Sequence, residues 1–460
     1  MNNSRILIID DDKEATDLIS ARLQSHGFEV SVANIPEEAF ELLKKDTPDL
    51  IIFDLVMSGI DGYEILRKIR LDNKTKEVPI IVLTAKLDQS DRVNALKMGA
   101  QDYITKPYEP EEFLARVQVA LKRKNYEAAD KKIKNILITG GAGFIGSALS
   151  RRLLAEGYKV TVIDDLSTGS RENIQDMLNN NNFSLIVGSI TDETILSKAI
   201  EESDLIYHLA ATVGVKNVIE KPLDTVIYDT IGTSIVLKYA SAKGVKVILT
   251  STSEVYGKSE KYPFKEDDDV VIGSPDINRW SYACSKLLDE FFAIGYHLER
   301  GLPVVIIRFF NVVGPGQVGR YGMVIPRFFK SALQNQPIHV YGNGKQTRCF
   351  TYIDDAINII LKLAQNQKAV GEIINLGSNN LVSIRDLAQE IKRITKSSSK
   401  IVFEPYQKYY GGRFEDIKKR VPDLTKLKKI SGVTPHTSIL EILKKMKRYF
   451  EENPKELDRI

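Results

Sequence analysis

Two spacings of apolar positions alternate along this chain. Short apolar runs, RILIID, FEVSVA, LIIFDL, PIIVLT and DYITKP, recur through residues 5–107. Amphipathic stretches such as Ala15–Leu23 lie between them, that one with Gly27 placed to close it. Apolar runs too short for helices, separated by helical periodicity, predict strands buried on both faces and wrapped by helices. Five such pairs predict a doubly wound parallel sheet of the (βα)5, flavodoxin-like kind. The series ends in the helical pattern EEFLARVQVALKRK, followed by the polar, charged stretch RKNYEAADKKIKN at 123–135. That stretch has no apolar face and reads as a helical or semi-rigid connector.

A second series then begins: NILITG, YKVTVID, SLIVG, DLIYHLA, VKVILTS and PVVIIRFF. It predicts a larger parallel sheet. After about residue 312 the pattern breaks into helices, short strands and loops, as in a smaller lobe over the sheet. The expected division is residues 1–124, a linker at 125–134, and residues 135–460. The overall class is α/β throughout.

Composition narrows the function. A formal net charge of +3 over 460 residues, without a basic stripe, gives no electrostatic case for nucleic acid. No apolar run is long enough for a membrane span, and MNNSRILIID enters a strand with no leader pattern. Two cysteines form no disulfide framework, and five histidines show no metal spacing. A cytoplasmic protein is expected.

In the first series the chemistry gathers at the carboxyl ends of strands. Asp10 and Asp11 follow the first strand, Asp54 ends the third, Thr84 the fourth, and Lys106 follows the fifth. These ends converge on one edge of such a sheet. Three carboxylates there call for a hard cation, and Mg²⁺ suits oxygen ligands. Asp54 could then attack a phosphoryl group, with Lys106 and the metal holding the charge. The motifs IIDDD, DLVMSGIDG, LTA and YITKP make residues 1–124 resemble a response-regulator receiver domain. The resemblance implies Asp54 as phosphoacceptor, Asp10, Asp11 and Asp54 as the Mg²⁺ site, and Thr84 with Tyr103 as switch residues. It also implies a histidine kinase or phosphotransfer protein as partner. One departure is Ser58, where the family usually has proline.

The second series carries TGGAGFIGS directly after its first strand, with Gly140, Gly143 and Gly146 flanking Phe144 and Ile145. Glycines there let a backbone approach a pyrophosphate at a helix N-terminus. Asp164, ending the next strand, is placed for ribose hydroxyls and would repel a 2′-phosphate, which favours NAD. Tyr282 and Lys286 are four apart in SYACSK, on one helical face. An ammonium near a phenol lowers its pKa and suits it to remove a hydroxyl proton. Thr252, in STSEVYG, would hydrogen-bond the same hydroxyl.

TGGAGFIGS, HLAA, STSEVYG, YACSK, RFFNVVGP and RCFTYIDD make residues from 135 to about 450 resemble the extended short-chain dehydrogenase/reductases that act on nucleotide sugars. The resemblance implies a tightly held NAD and oxidation of a UDP-sugar at C4. It implies Asn311, Arg348 and Arg413 as nucleotide ligands and, at family level, a homodimer. Ser189 departs from an aspartate common among relatives. Dehydratases of the family carry an Asp–Glu pair after the threonine, and here Ser253 breaks it. Thr252, Ser253 and Glu254, with Arg420 in RVPD, look most like UDP-glucuronate decarboxylases. A UDP-sugar 4-epimerase stays open, as does a signalling protein whose sugar-nucleotide domain only senses ligand.

Overall fold

The computed structural model describes residues 4–57, 60–76, 78–84, 98–100, 102–128, 133–212, 214–317, 319, 323–405, 415, 417 and 419–460. The chain divides into two compact units, the first made of Met1–Lys131 with Leu298–Gly301 and the second of Lys132–His297 with Leu302–Ile460.

Among the described residues the main sheet of the first unit holds β1 (Arg5–Ile9), β2 (Glu29–Ala33), β3 (Leu50–Asp54), β4 (Ile80–Thr84) and β5 (Asp102–Thr105), and Val56–Met57 pairs separately with Ile60–Asp61. The main sheet is parallel, in the order β2-β1-β3-β4-β5. LIIFD and IIVLT are buried at every position, as strands covered on both faces require. Described helices are α1 (Lys13–Ser25), α2 (Pro36–Lys45), α3 (Gly62–Leu71) and α4 (Pro110–Ala128). Helix α1 is longer than its apolar period suggests, because the Asp12 side chain caps Ala15 N–H and starts it early. Helix α4 runs to Ala128, so the expected connector begins as helix.

The second unit is built on a seven-stranded parallel sheet. Its strands are β6 (Asn135–Thr139), β7 (Lys159–Asp164), β8 (Phe183–Val187), β9 (Leu205–His208), β10 (Lys246–Thr252), β11 (Val304–Phe309) and β14 (Ile373–Leu376). The order is β8-β7-β6-β9-β10-β11-β14. The chain reverses direction across the sheet between β6 and β9, opening a crevice beyond their carboxyl ends. The seventh strand escaped the sequence reading because it is a four-residue edge run inside what looked like the lobe. Helices α5 (Phe144–Ala155), α6 (Glu193–Glu201), α7 (Pro222–Lys243) and α8 (Arg279–Arg300) belong to the nucleotide half.

The lobe uses short strands. β12 (Ile338–Tyr341) pairs with β16 (Ile401–Glu404). β13 (Thr347–Cys349) lies between β15 (Leu381–Ser383) and β17 (Lys419–Arg420). Among the described residues no helix is long and apolar enough to cross a membrane.

Candidate functional sites

The first site sits at the carboxyl edge of the first sheet. Lys106 Nζ donates to Asp10 Oδ2 at 2.6 Å and to Asp54 Oδ2 at 2.7 Å. β1 and β3 are neighbours, which places their terminal acids side by side. Burial pushes the Asp54 carboxyl up, opposed by its hydrogen bond from Lys106. Burial alone would lower Lys106, but its bonds to Asp10 and Asp54 raise it. The Asp12 N–H donates to Asp10 Oδ1 at 2.9 Å and the Val56 N–H to Asp54 Oδ1 at 2.8 Å. Asp11 lies on the same loop, half-buried. Thr84 is fully buried at the end of β4, and its hydroxyl has no hydrogen-bond partner among the described residues. Tyr103 is half-buried on β5. The donors are all hard oxygens and suit Mg²⁺. Among the described residues, however, no group of three or more metal-ligating side chains is drawn together, and Lys106 occupies the space between the acids. Ser58 lies outside the described residues.

The second site is a cleft of about 990 Å³ in the second unit. Gly140, Gly143, Phe144, Ile145, Gly146 and Asp164 line one end. Gly140 has φ +72°, and a Cβ there would come within 2.7 Å of Ala210 N. A Cβ on Gly146 would meet Gly140 O at 2.4 Å. Gly143 caps α5 without a side-chain hydrogen bond, which leaves the helix N-terminus bare at the cleft wall. Such a terminus fits a pyrophosphate. Asp164 accepts from Ala142 N–H and Leu166 N–H, both at 2.9 Å. Burial nevertheless raises its carboxyl above the ordinary range. Each oxygen keeps accepting capacity for a ribose hydroxyl. Ser189 also lines the cleft and bonds Thr191 Oγ1 at 2.8 Å.

Thr252, Ser253, Glu254, Tyr282, Lys286, Asn311, Arg348 and Arg420 line the same cleft. β10 delivers Thr252 at its carboxyl end, and a short helical turn, Ser253–Tyr256, continues from it. Thr252 Oγ1 accepts from Glu254 N–H at 3.2 Å, and Ser253 is buried beside them. Arg420 Nη1 donates to Glu254 Oε1 at 3.1 Å. β13 and β17 place Arg348 and Arg420 in register, so two guanidiniums from adjacent strands serve one cleft. Asn311 Nδ2 donates to Cys349 O at 3.0 Å. Arg413 lies outside the described residues.

One expectation is corrected. Lys286 does not act as an isolated ammonium under the phenol, because its Nζ donates to buried Asp289 at 2.8 Å. Tyr282 is instead raised well above the usual phenol range, first by burial and then by Asp229, Glu254 and Asp289, with Arg420 pulling the other way. The resting Tyr282 is therefore the protonated phenol.

Sequence reasoning missed Asp229, Asp289 and Arg279. Asp229 accepts from Thr212 N–H at 2.7 Å and Ser285 Oγ at 3.1 Å. Burial pushes its carboxyl up to about 6. His208 bonds Thr139 Oγ1 at 2.7 Å and Thr233 Oγ1 at 3.0 Å, and burial holds it down to about 3, a neutral strut. The signal for two of the missed residues was present. Asp289 is three residues after Lys286 and Arg279 three before Tyr282, spacings that share a helix face.

A crevice of this shape, with a bare helix terminus at one end and Thr252, Tyr282 and Lys286 at the other, defines a dinucleotide-dependent enzyme of the extended short-chain dehydrogenase/reductase class. The family model described as GDP-mannose 4,6 dehydratase matches residues 137–446, and the model described as response regulator receiver domain matches residues 6–118. A UDP-N-acetyl-α-D-glucosaminuronate decarboxylase of Bacillus cytotoxicus is 44% identical over 320 residues, 69% of this chain and 98% of that protein. UDP-glucuronic acid decarboxylase 1 of Danio rerio is 35% identical over 322 residues, covering 70% and 74% of the two chains. A Bacillus cereus UDP-glucuronic acid 4-epimerase, solved with UDP-glucuronic acid and NAD, superposes with TM-score 0.63 at 31% identity, over 69% of this chain and 99% of that one. The chain belongs to the NAD-dependent nucleotide-sugar epimerase, dehydratase and decarboxylase family, and it carries a response-regulator receiver domain ahead of the enzyme. It is a nucleotide-sugar decarboxylase or epimerase.

Proposed function

We propose that the second unit, residues 135–460, is an NAD-dependent UDP-uronate decarboxylase, acting on UDP-glucuronate or its 2-acetamido counterpart. The observation that carries this reading is the ion pair of Arg420 and Glu254, two residues beyond Thr252 and inside the cleft that holds Tyr282. Bound NAD⁺ supplies the two-electron acceptor for C4 and a further positive charge. Tyr282, as the tyrosinate that the charge of bound NAD⁺ and the Lys286 ammonium would favour over the resting phenol, removes the C4 hydroxyl proton, and Thr252 holds that oxygen. The product is a β-keto acid. Its C5–C6 bond breaks as the electron pair moves into the C4 carbonyl to give an enolate, CO₂ leaves, and a proton returns to C5. Hydrogen bonds from Thr252 and Tyr282 stabilise the enolate oxygen. Arg420 holds the carboxylate before it leaves, and Glu254 turns it out of the ring plane. Asn311, Arg348 and Arg413 hold the nucleotide diphosphate, guanidiniums being permanently charged and forked for phosphate oxygens. Ser253, uncharged and buried after Thr252, cannot serve as the acid of a dehydratase pair.

The experiment follows products from UDP-glucuronate, its 2-acetamido counterpart and UDP-glucose with the intact protein and NAD⁺. Release of CO₂ with a UDP-pentose or UDP-4-keto-pentose is expected. Clean 4-epimerisation with the carboxylate retained would establish the second reading, which the Bacillus cereus epimerase supports.

In the receiver unit, residues 1–124, Asp54 accepts a phosphoryl group from a histidine kinase or phosphotransfer protein. Asp10, Asp11 and Asp54 would hold Mg²⁺ there once Lys106 yields the space between them, and phosphorylation tunes the enzyme. The working form is a cytoplasmic homodimer. Leu223, Ile227 and Ile231 repeat every fourth position along exposed positions of α7, and Leu288 and Phe291 are exposed on α8, an apolar surface suited to a second copy.

A further inference from the structure

We propose that Arg279 is a second guanidinium for the sugar carboxylate, so that Arg279 and Arg420 together select a uronate over a neutral sugar; this rests on the decarboxylase reading above. Arg279 opens α8, one helical turn before Tyr282, and is buried at the cleft wall. Its Nη2 lies 3.4 Å from Glu254 Oε1. Arg420 reaches the same oxygen at 3.1 Å from β17, a separate element of the lobe. Two guanidiniums from distant parts of the chain thus close on one carboxylate oxygen. Glu254 itself shows that the space between them holds a carboxylate.

The reaction places the substrate's carboxylate at that spot. C4 is held by Thr252 and Tyr282, and the carboxyl carbon hangs from C5, the neighbouring ring atom. Glu254 is two residues beyond Thr252, and its N–H is bonded to Thr252 Oγ1. A uronate reaching its C4 hydroxyl to Thr252 therefore brings a second carboxylate beside Glu254. One guanidinium cannot balance two carboxylates in a buried site, where like charges repel strongly. Two guanidiniums for two carboxylates can. The Nη2 contact of Arg279 with Glu254 Oε1, at 3.4 Å, is longer than the roughly 2.7–2.9 Å of a close charge-assisted bond. Asp229 and Asp289 also act on Tyr282, with Lys286 bonded to Asp289, and Glu220, Lys221 and Asp224 line the same cleft. A purely structural Arg279, pinning the start of α8, would serve every nucleotide sugar alike.

The test measures affinity of the intact protein with NAD⁺ for UDP, UDP-glucose and UDP-glucuronate. Arg279→Gln is expected to weaken UDP-glucuronate roughly 10- to 100-fold, the scale of a hydrogen bond to a charged group, while UDP and UDP-glucose shift by no more than about twofold. Arg279→Lys should recover part of the loss, since charge is restored without the fork. Retained UDP affinity also reports that the variant cleft is folded. Equal weakening of all three ligands, or no weakening of UDP-glucuronate, would overturn the proposal. A wild-type protein that binds UDP-glucuronate no better than UDP-glucose would instead overturn the decarboxylase reading beneath it.

Discussion

Two lysines in this chain, Lys106 half-buried and Lys286 buried, each sit among aspartates, and they are arranged differently. In the receiver, Lys106 bridges Asp10 and Asp54 with two short bonds, and its side chain stays 24% exposed. In the enzyme, Lys286 is 2% exposed and its Nζ bonds Asp289. Its second acid, Asp229, is held by Thr212 N–H and Ser285 instead. The first arrangement is a clamp at an open sheet edge. A phosphoryl group or a divalent cation entering there would redistribute Lys106 between its partners. The second is more enclosed, with Lys286 and Asp229 each held by protein groups before substrate arrives. The same residue types thus serve a site built to change charge and a site built to keep it.

The largest expected effect tests the closed half of this contrast. Tyr282→Phe and Lys286→Met should each lower turnover by roughly 10²- to 10⁴-fold, the usual scale for acid–base groups. Only Lys286→Met should also lower unfolding stability, by about 3–5 kcal/mol, because it strands Asp289 in the interior. Denaturant unfolding of the two variants separates the effects. A Lys286→Met protein as stable as wild type would mean that the lysine is not anchored as described.

Asp229 gives the next test, at about 3 kcal/mol at most, from a carboxyl pushed up to about 6 against about 3.9 in an unfolded chain. The sign follows from proton uptake. Between those values the folded protein holds a proton that the unfolded chain has lost, which favours folding. That contribution disappears as pH rises through about 6, where the buried carboxyl must ionise. Asp229→Asn keeps both hydrogen-bonding atoms without the charge. Its melting temperature should match wild type near pH 4, exceed it increasingly as pH rises to about 6, and hold a constant excess above that. A constant difference across the whole range would show that Asp229 does not titrate in the folded protein.

The contrast also explains what was legible in the sequence. Strand ends are strongly patterned, and the groups they deliver, Asp10, Asp54, Thr84, Asp164 and Thr252, were readable because an apolar run points at each one. Five strands of the receiver and six of the enzyme followed from the same runs, whereas the four-residue edge strand β14 did not. Helix residues are harder. Asp229, Asp289 and Arg279 look like surface charges on α7 and α8 until the sheet they pack on is known. Tyr282 is raised first by its burial, which its helix position alone did not reveal, and then by Asp229, Glu254 and Asp289, of which Asp229 and Asp289 lie at helix positions that periodicity left unassigned.

The smallest expected effect links the two sites. A phosphoryl group on Asp54 adds about two negative charges and three acceptor oxygens. Lys106 would then turn from its even share between Asp10 and Asp54 toward the new charge. The buried Thr84 hydroxyl, unpartnered among the described residues and one step beyond the Asp54–Leu83 register pair, would gain an acceptor. Those two changes bias the receiver toward a second state. Coupling between distant sites is typically about 1–3 kcal/mol, so turnover should change by roughly 5- to 150-fold, or the protein should shift between 51.7 kDa chains and dimers. The measurement treats wild type and Asp54→Ala with a small-molecule phosphodonor and Mg²⁺, then records incorporated phosphate, turnover and solution mass. Wild type should take up one hydroxylamine-sensitive phosphate and diverge from Asp54→Ala in rate or mass. Labelling of Asp54→Ala equal to wild type would remove Asp54 as acceptor. Labelled wild type with the rate and mass of Asp54→Ala would leave the clamp intact as chemistry and remove it as a control on the enzyme.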